Sequence, residues 1–185
     1  MLIEKSNAIL LVIDIQEKLF PKVFNKNIVE KNSQILLKTF ELLELPILLT
    51  EQYPKGLGST IMSLQKICSG IDKNNLLRFE KSSYSCFQED NFKNVLKNQK
   101  KKQILILGIE THVCILQSAF DLKSEGHYPY VITDAVGSRG KNDHESALKR
   151  LSAHGIDQIT SEMVVFELLR NFKHPKFREI SKLIK

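Results

Sequence analysis

Cysteine is scarce in this chain of 185 residues: three, at positions 68, 86 and 114, with no paired spacing. Any disulfide would leave one over, which argues for a reducing, cytoplasmic setting. Long apolar runs are equally absent. The N-terminus carries Glu4-Lys5 and then a short apolar stretch that stops at Asp14, a pattern of neither a signal peptide nor a membrane span. No membrane partner is expected. The histidines, at 112, 127, 144, 154 and 174, show no ligand spacing, so no metal and no cofactor is expected. Internal repeats, low-complexity segments and linkers are missing, and the length fits one domain, residues 1–185. The net charge of +6 comes from 27 basic against 21 acidic residues spread along the chain. Its one basic run, Lys100-Lys101-Lys102, reads as solvated lysines at a helix C-terminus. With no aromatic interleaving and no binding motif, no nucleic-acid partner is expected.

What is present is an alternation of strand-like and helix-like segments. Ala8 to Asp14 is a continuous apolar run of branched residues ending in a carboxylate, which suits a strand buried on both faces. A helix over Ile28 to Leu43 follows by its apolar spacing, then a strand Ile47 to Thr50. Glu51 to Gly58 reads as a loop by its Pro and Gly content. Leu76 to Phe79 reads as a short strand, and Asp90 to Lys97 as an amphipathic helix. Ile104 to Leu107 is a buried strand leading to a helix over Ile115 to Glu125, with Cys114 in its first turn and Gly126 at its end. Tyr130 to Thr133 is the next strand, closed by Asp134. Val136 to Gly140 is a loop, Lys141 to His154 a helix, and Asp157 to Thr160 a strand. Ser161 is the expected cap of a helix over Glu162 to Leu169. The tail, His174 to Ile184, reads as a final amphipathic helix. This order argues a parallel sheet covered on both faces.

In such a sheet the C-terminal ends of the central strands share one edge, where sites form. Asp14, Lys81 and Cys114 each lie at or just beyond a strand end, and supply a base, a cation and a soft nucleophile. A helix N-terminus and a nearby ammonium favour the thiolate, so an ionised Cys114 at neutral pH is expected. Competing readings remain for each residue taken alone: a turn-capping Asp14, a solvated Lys81, a packing Cys114. Gln52 and Tyr53 lie in the loop expected over the pocket, as ligand contacts or as parts of a surface turn. Cys86 reads as a packing residue.

The stretches Leu11-Val12-Ile13-Asp14-Ile15-Gln16, Lys81-Ser82-Ser83-Tyr84-Ser85-Cys86-Phe87 and Gly108-Ile109-Glu110-Thr111-His112-Val113-Cys114 resemble the isochorismatase-like cysteine hydrolases almost end to end. Thr50 to Gly58, Asp134 to Arg139 and His174 to Phe177 make the chain most similar to the small isochorismatase-domain-containing proteins. The resemblance implies an α/β fold of three α/β/α layers, Rossmann-like, with a six-stranded parallel sheet. It implies an Asp14–Lys81–Cys114 triad and a non-proline cis peptide between Ile109 and Glu110. That bond would aim the Glu110 N–H beside the Cys114 N–H as an oxyanion hole. The pocket expected around this site takes in Gln16, Phe20, Gln52, Tyr53 and His112, the last at the rim or at a subunit contact. Nicotinamidases of the family carry an Asp-x-His metal signature where this chain has Glu51-Gln52-Tyr53-Pro54, and isochorismatases proper lack the cysteine. The implied function is hydrolysis of a small-molecule amide through a thioester, with a homo-oligomer, dimer or larger, expected. The alternative is a non-catalytic ligand-binding or assembly protein on the same fold.

Overall fold

The computed structural model describes residues 1–185. Six strands form one parallel sheet in the order β3-β2-β1-β4-β5-β6. They are β1 Ala8–Ile13, β2 Ile47–Gln52, β3 Leu76–Lys81, β4 Gln103–Ile109, β5 Tyr128–Gly137 and β6 Asp157–Ile159. The helices, in chain order, are α1 Lys26–Leu42, α2 Pro54–Leu57, α3 Met62–Cys68, α4 Asp90–Gln99, α5 Leu116–Ser124, α6 Lys141–Ala153, α7 Ser161–Leu169 and α8 Phe177–Ile180.

Strand side chains alternate between two cores. Leu10 and Val12 of β1, with Leu105 and Leu107 of β4, pack with Leu36 and Phe40 of α1, Leu64 of α3 and Val164 and Leu168 of α7. Ile9, Leu11 and Ile13, with Ile104 and Ile106, pack with Phe92 of α4, Ala119 and Leu122 of α5 and Leu151 of α6. Both faces of the central strands are therefore dry, which is why they read as unbroken apolar runs. The order of connection reverses between β1 and β4, and such a switch point leaves a crevice beyond the strand ends.

Gly108 is what lets those two ends approach. It pairs with Ile13, and its φ of +124° is one that L side chains rarely adopt; an added Cβ would lie 2.0 Å from the Ile13 carbonyl oxygen.

Several expectations are corrected. Glu51 and Gln52 belong to β2, and the presumed loop beyond them contains a helical turn, α2. The strand expected to stop at Asp134 runs on to Gly137, because a register shift between Ile106 and Gly108 re-pairs Val136 and Gly137 with β4. Thr160, not Ser161, caps α7: its side chain accepts from the Met163 N–H. Ser161 is instead held by Asp134, whose carboxylate accepts its N–H and hydroxyl at 2.8 and 2.7 Å. The C-terminal amphipathic helix is a single turn, α8, whose Ile180 is buried in the chain's own core with Phe177 and Ile184 packed against it.

Candidate active site

Asp14 follows β1 directly, in a left-handed conformation with φ of 53°. Its carboxylate is fully enclosed: Oδ1 accepts the Thr50 hydroxyl at 2.8 Å, and Oδ2 lies 2.7 Å from Lys81 Nζ. Lys81 is the last residue of β3, two strands away. Its side chain therefore crosses the end of β2, where Gln52 Oε1 accepts from Nζ at 2.5 Å. The Ser83 and Tyr84 carbonyls accept at 3.1 Å, and Cys114 Sγ stands 3.6 Å from the same nitrogen. A buried ammonium with this many acceptors is held in place and held charged.

Cys114 comes from the other side of the switch point. Between β4 and α5 the chain makes one wide π-helical turn over Thr111–Ile115, in which the Ile115 N–H donates to the Glu110 carbonyl at 3.3 Å. Cys114 thus precedes α5 rather than lying inside its first α-turn. The Ile109–Glu110 peptide bond is cis. The Glu110 N–H finds no acceptor within the chain. Its carboxylate turns away and binds Arg139, accepting the backbone N–H at 2.9 Å and standing 3.0 Å from Nε.

A cavity of about 210 Å³ opens over these groups. Its lining mixes the polar groups of Asp14, Gln52, Glu110, Cys114 and Arg139 with the apolar side chains of Leu19, Leu57, Ile109 and Val113 and the ring of Tyr84. The expected pocket residues divide. Gln52 lines the cavity. Gln16 does not: its amide is spent on the Gln52 and Gly58 carbonyls and the Gln52 N–H, tying β1 to the segment over the cavity. Phe20 is buried in the core with Val23 and Val29, while its neighbour Leu19 reaches the cavity. Tyr53 is 62% exposed, because its left-handed backbone turns it out at the start of α2. His112 lies outside the cavity wall, its Nδ1 3.0 Å from the Ser138 hydroxyl. Sequence reasoning missed Thr50, Leu57, Tyr84 and Arg139 as site residues. All four carried a signal, since each falls in one of the stretches quoted for the resemblance. No group of three His, Cys, Asp or Glu side chains is arranged to hold a metal ion.

The electrostatics correct one expectation. Burial pushes the Cys114 thiol up to about 12; the Asp14 carboxylate pushes the same way, and the Lys81 ammonium pulls against both without overcoming them. The resting thiol is therefore neutral at pH 7, not ionised. For Lys81, burial favours the neutral amine, yet the Asp14 carboxylate leads the opposing charges, and the group is held above its ordinary value. Burial raises Asp14 as well, opposed by Lys81 and by the Thr50 hydroxyl. The site thus holds a compact ion pair beside a protonated sulfur. Cys86, fully buried with its Sγ 3.8 Å from Thr50 Oγ1, is raised to about 11 by burial and then by Asp14.

Comparison with known proteins agrees with this architecture. Residues 8–163 match the family model described as the isochorismatase domain. Isochorismatase family protein 1A of Dictyostelium discoideum is 38% identical over 176 residues, covering 95% of this chain and 84% of that protein. Isochorismatase domain-containing protein 2 of Danio rerio is 37% identical over 177 residues, covering 96% of this chain and 86% of its own. The solved structure of the MAR1 ribonuclease from Caenorhabditis elegans superposes with a TM-score of 0.92 at 34% identity, over 100% of this chain and 92% of that one. The chain belongs to the isochorismatase family.

Proposed function

We propose that the protein is a cysteine hydrolase that cleaves the C–N bond of a small amide through a covalent thioester, using Asp14, Lys81 and Cys114. The observation that carries this reading is the convergence of a carboxylate, an ammonium and a thiol from three separate strand ends: Asp14 and Cys114 line one cavity of about 210 Å³, and Lys81, behind its wall, reaches both.

The resting charge state dictates the order of events. As Sγ attacks the substrate carbonyl, the thiol proton passes to Asp14, whose raised pKa makes it a better acceptor than an exposed carboxylate. The negative charge moving from sulfur to the carbonyl oxygen stays within reach of the Lys81 ammonium. The oxyanion accepts from the unpaired Glu110 N–H and from the Cys114 N–H; losing one such donor typically costs about 2.7–4 kcal/mol of barrier. Collapse of the tetrahedral intermediate breaks the C–N bond, and Asp14 delivers its proton to the departing amine. Asp14 then takes a proton from water as the hydroxide adds to the thioester. The acid leaves, and the proton returns to sulfur.

The three free thiols support a reducing, cytoplasmic location, and the exposed apolar side chains of Met163 and Phe166 support a homo-oligomer. A panel of small amides assayed with wild type and Cys114→Ala tests the proposal. Turnover lost in the variant, with an acyl adduct on Cys114 in the mass spectrum, is the expected result. Absence of any Cys114-dependent turnover would leave the non-catalytic alternative, a ligand-binding or assembly role for the same cavity.

A further inference from the structure

A dense cluster of like charge lies at the opposite edge of the sheet from the cavity over Cys114. Lys93 and Lys97 of α4 and the run Lys100-Lys101-Lys102 line a second concavity of about 430 Å³, where Glu125 is the one acidic lining residue. Five ammoniums against one carboxylate leave +4 there, out of +6 for the whole chain. The backbone builds this arrangement. Lys100 ends α4 in a left-handed conformation, φ 53°, and the three lysines that follow the helix line the same hollow as Lys93 and Lys97 within it. Helix-end carbonyls account for one or two solvated lysines. They do not account for five around one hollow, where like charges raise one another's energy.

Little inside the protein neutralises them. Lys93 has one long carboxylate contact, 3.5 Å to exposed Asp90, and stands 5.9 Å from the centroid of the Phe87 ring; Lys101 Nζ is held by the Ser6 carbonyl at 2.6 Å. Lys97, Lys100 and Lys102 have no carboxylate within 4.0 Å. The half-buried ring of His127 also borders the hollow, and its Nδ1 is shielded from solvent and without a hydrogen-bond partner.

We infer that this basic hollow is a binding site for a small polyphosphate-bearing ligand, distinct from the candidate active site. Lysine ammoniums are compact point charges that suit phosphate oxygens from several directions. Their net +4 matches the charge of a di- or triphosphate chain. A small ligand fits better than a nucleic acid strand. The hollow's one phenyl ring, Phe87, is half-buried, edge-on to His127 and overlain by the Lys93 ammonium rather than presented as a stacking platform. The seven residues of β4 lie between Lys102 and Glu110, eight steps of about 3.3 Å, a separation of about 26 Å. The site therefore does not serve the amide chemistry directly.

Calorimetric titration of the full chain with inorganic tripolyphosphate at low salt tests the inference, with a nucleoside triphosphate and a single-stranded RNA oligonucleotide as parallel probes. One saturable site per chain is expected. Combined Lys97→Gln, Lys100→Gln and Lys102→Gln should weaken it about 10-fold or more, since several modest exposed-charge contributions are lost together. Lys31→Gln, Lys66→Gln and Lys182→Gln remove the same charge from elsewhere on the surface and should leave affinity within about 2-fold. Cys114→Ala should bind as wild type does. Equal losses in the two lysine triples would reduce the effect to bulk charge and overturn the site, as would the absence of saturable binding. Groove-dependent binding of the RNA tighter than that of tripolyphosphate would overturn the ligand class. Equal affinity for tripolyphosphate and the nucleoside triphosphate locates recognition in the phosphate chain, and a tighter nucleoside triphosphate adds a contact to its base or sugar; both support the site.

Discussion

The buried neutral thiol makes a measurable claim on stability at alkaline pH. The Cys114 thiol rises from 9.0 to about 12 on folding. A group whose folded pKa is raised contributes stability that is fully present below its unfolded pKa and is lost as pH climbs through the folded one. The relevant window is therefore pH 9 to 12: there the unfolded thiol ionises while the folded one resists. On this account the loss reaches about 1 kcal/mol at pH 10 and about 3 kcal/mol near pH 11. Tyrosines, Cys86 and the lysines other than Lys81 titrate in the same range in wild type and in Cys114→Ala alike, while Lys81, 3.6 Å from the sulfur, is coupled to it and titrates as part of the same perturbation. The informative quantity is thus the difference between the two proteins. Urea unfolding at half-unit steps from pH 7 to pH 11 should show a constant offset up to about pH 8.5, with wild type then losing stability faster than the variant. Parallel curves across the whole range would mean that the thiol is not perturbed. A wild type that gains on the variant as pH rises would mean that the ammonium has prevailed over burial. Alkylation of Cys114 gives the kinetic counterpart: its rate should climb about 10-fold per unit between pH 7 and 9 with no plateau.

Gly108→Ala should be the most damaging conservative change in the sheet, costing about 3 kcal/mol or more, because the new methyl would meet the Ile13 carbonyl at 2.0 Å in a left-handed conformation; soluble yield and urea midpoint check it. Lys81→Met should destabilise by about 3–5 kcal/mol by stranding the Asp14 carboxylate, and the double variant with Asp14→Leu should recover part of that loss, both read by urea unfolding. Thr160→Ala should cost about 1 kcal/mol through loss of the α7 cap, whereas a solvent-facing change on the same helix, Glu162→Gln, should fall within about 0.5 kcal/mol in the same measurement.

Legibility in the sequence followed burial. β1 and β4 announce themselves as runs of Ile, Leu and Val because both of their faces are covered, and the ends of those runs locate Asp14 and the turn toward Cys114. α3 gave no comparable signal: of its seven residues only Leu64 and Cys68 are buried. β5 continues through Thr133 and Asp134 because the pairing with β4 slips and Asp134 finds its donors on Ser161, a contact 27 residues away that no local pattern encodes. The same distinction governs the site. Residue types and strand ends indicate which groups can meet, and therefore the signs of the charges that act on the sulfur. They do not indicate depth. Lys81 and the helix start pull the thiol toward ionisation, while enclosure and the Asp14 carboxylate push it away, and only the three-dimensional arrangement decides between them. Because enclosure prevails, the proposed mechanism generates the nucleophile during the reaction by transfer of its proton to Asp14, which requires that carboxylate to be ionised at rest. In that proposal the Lys81 ammonium serves two ends: it favours the unprotonated base before the attack and receives the charge that the attack creates.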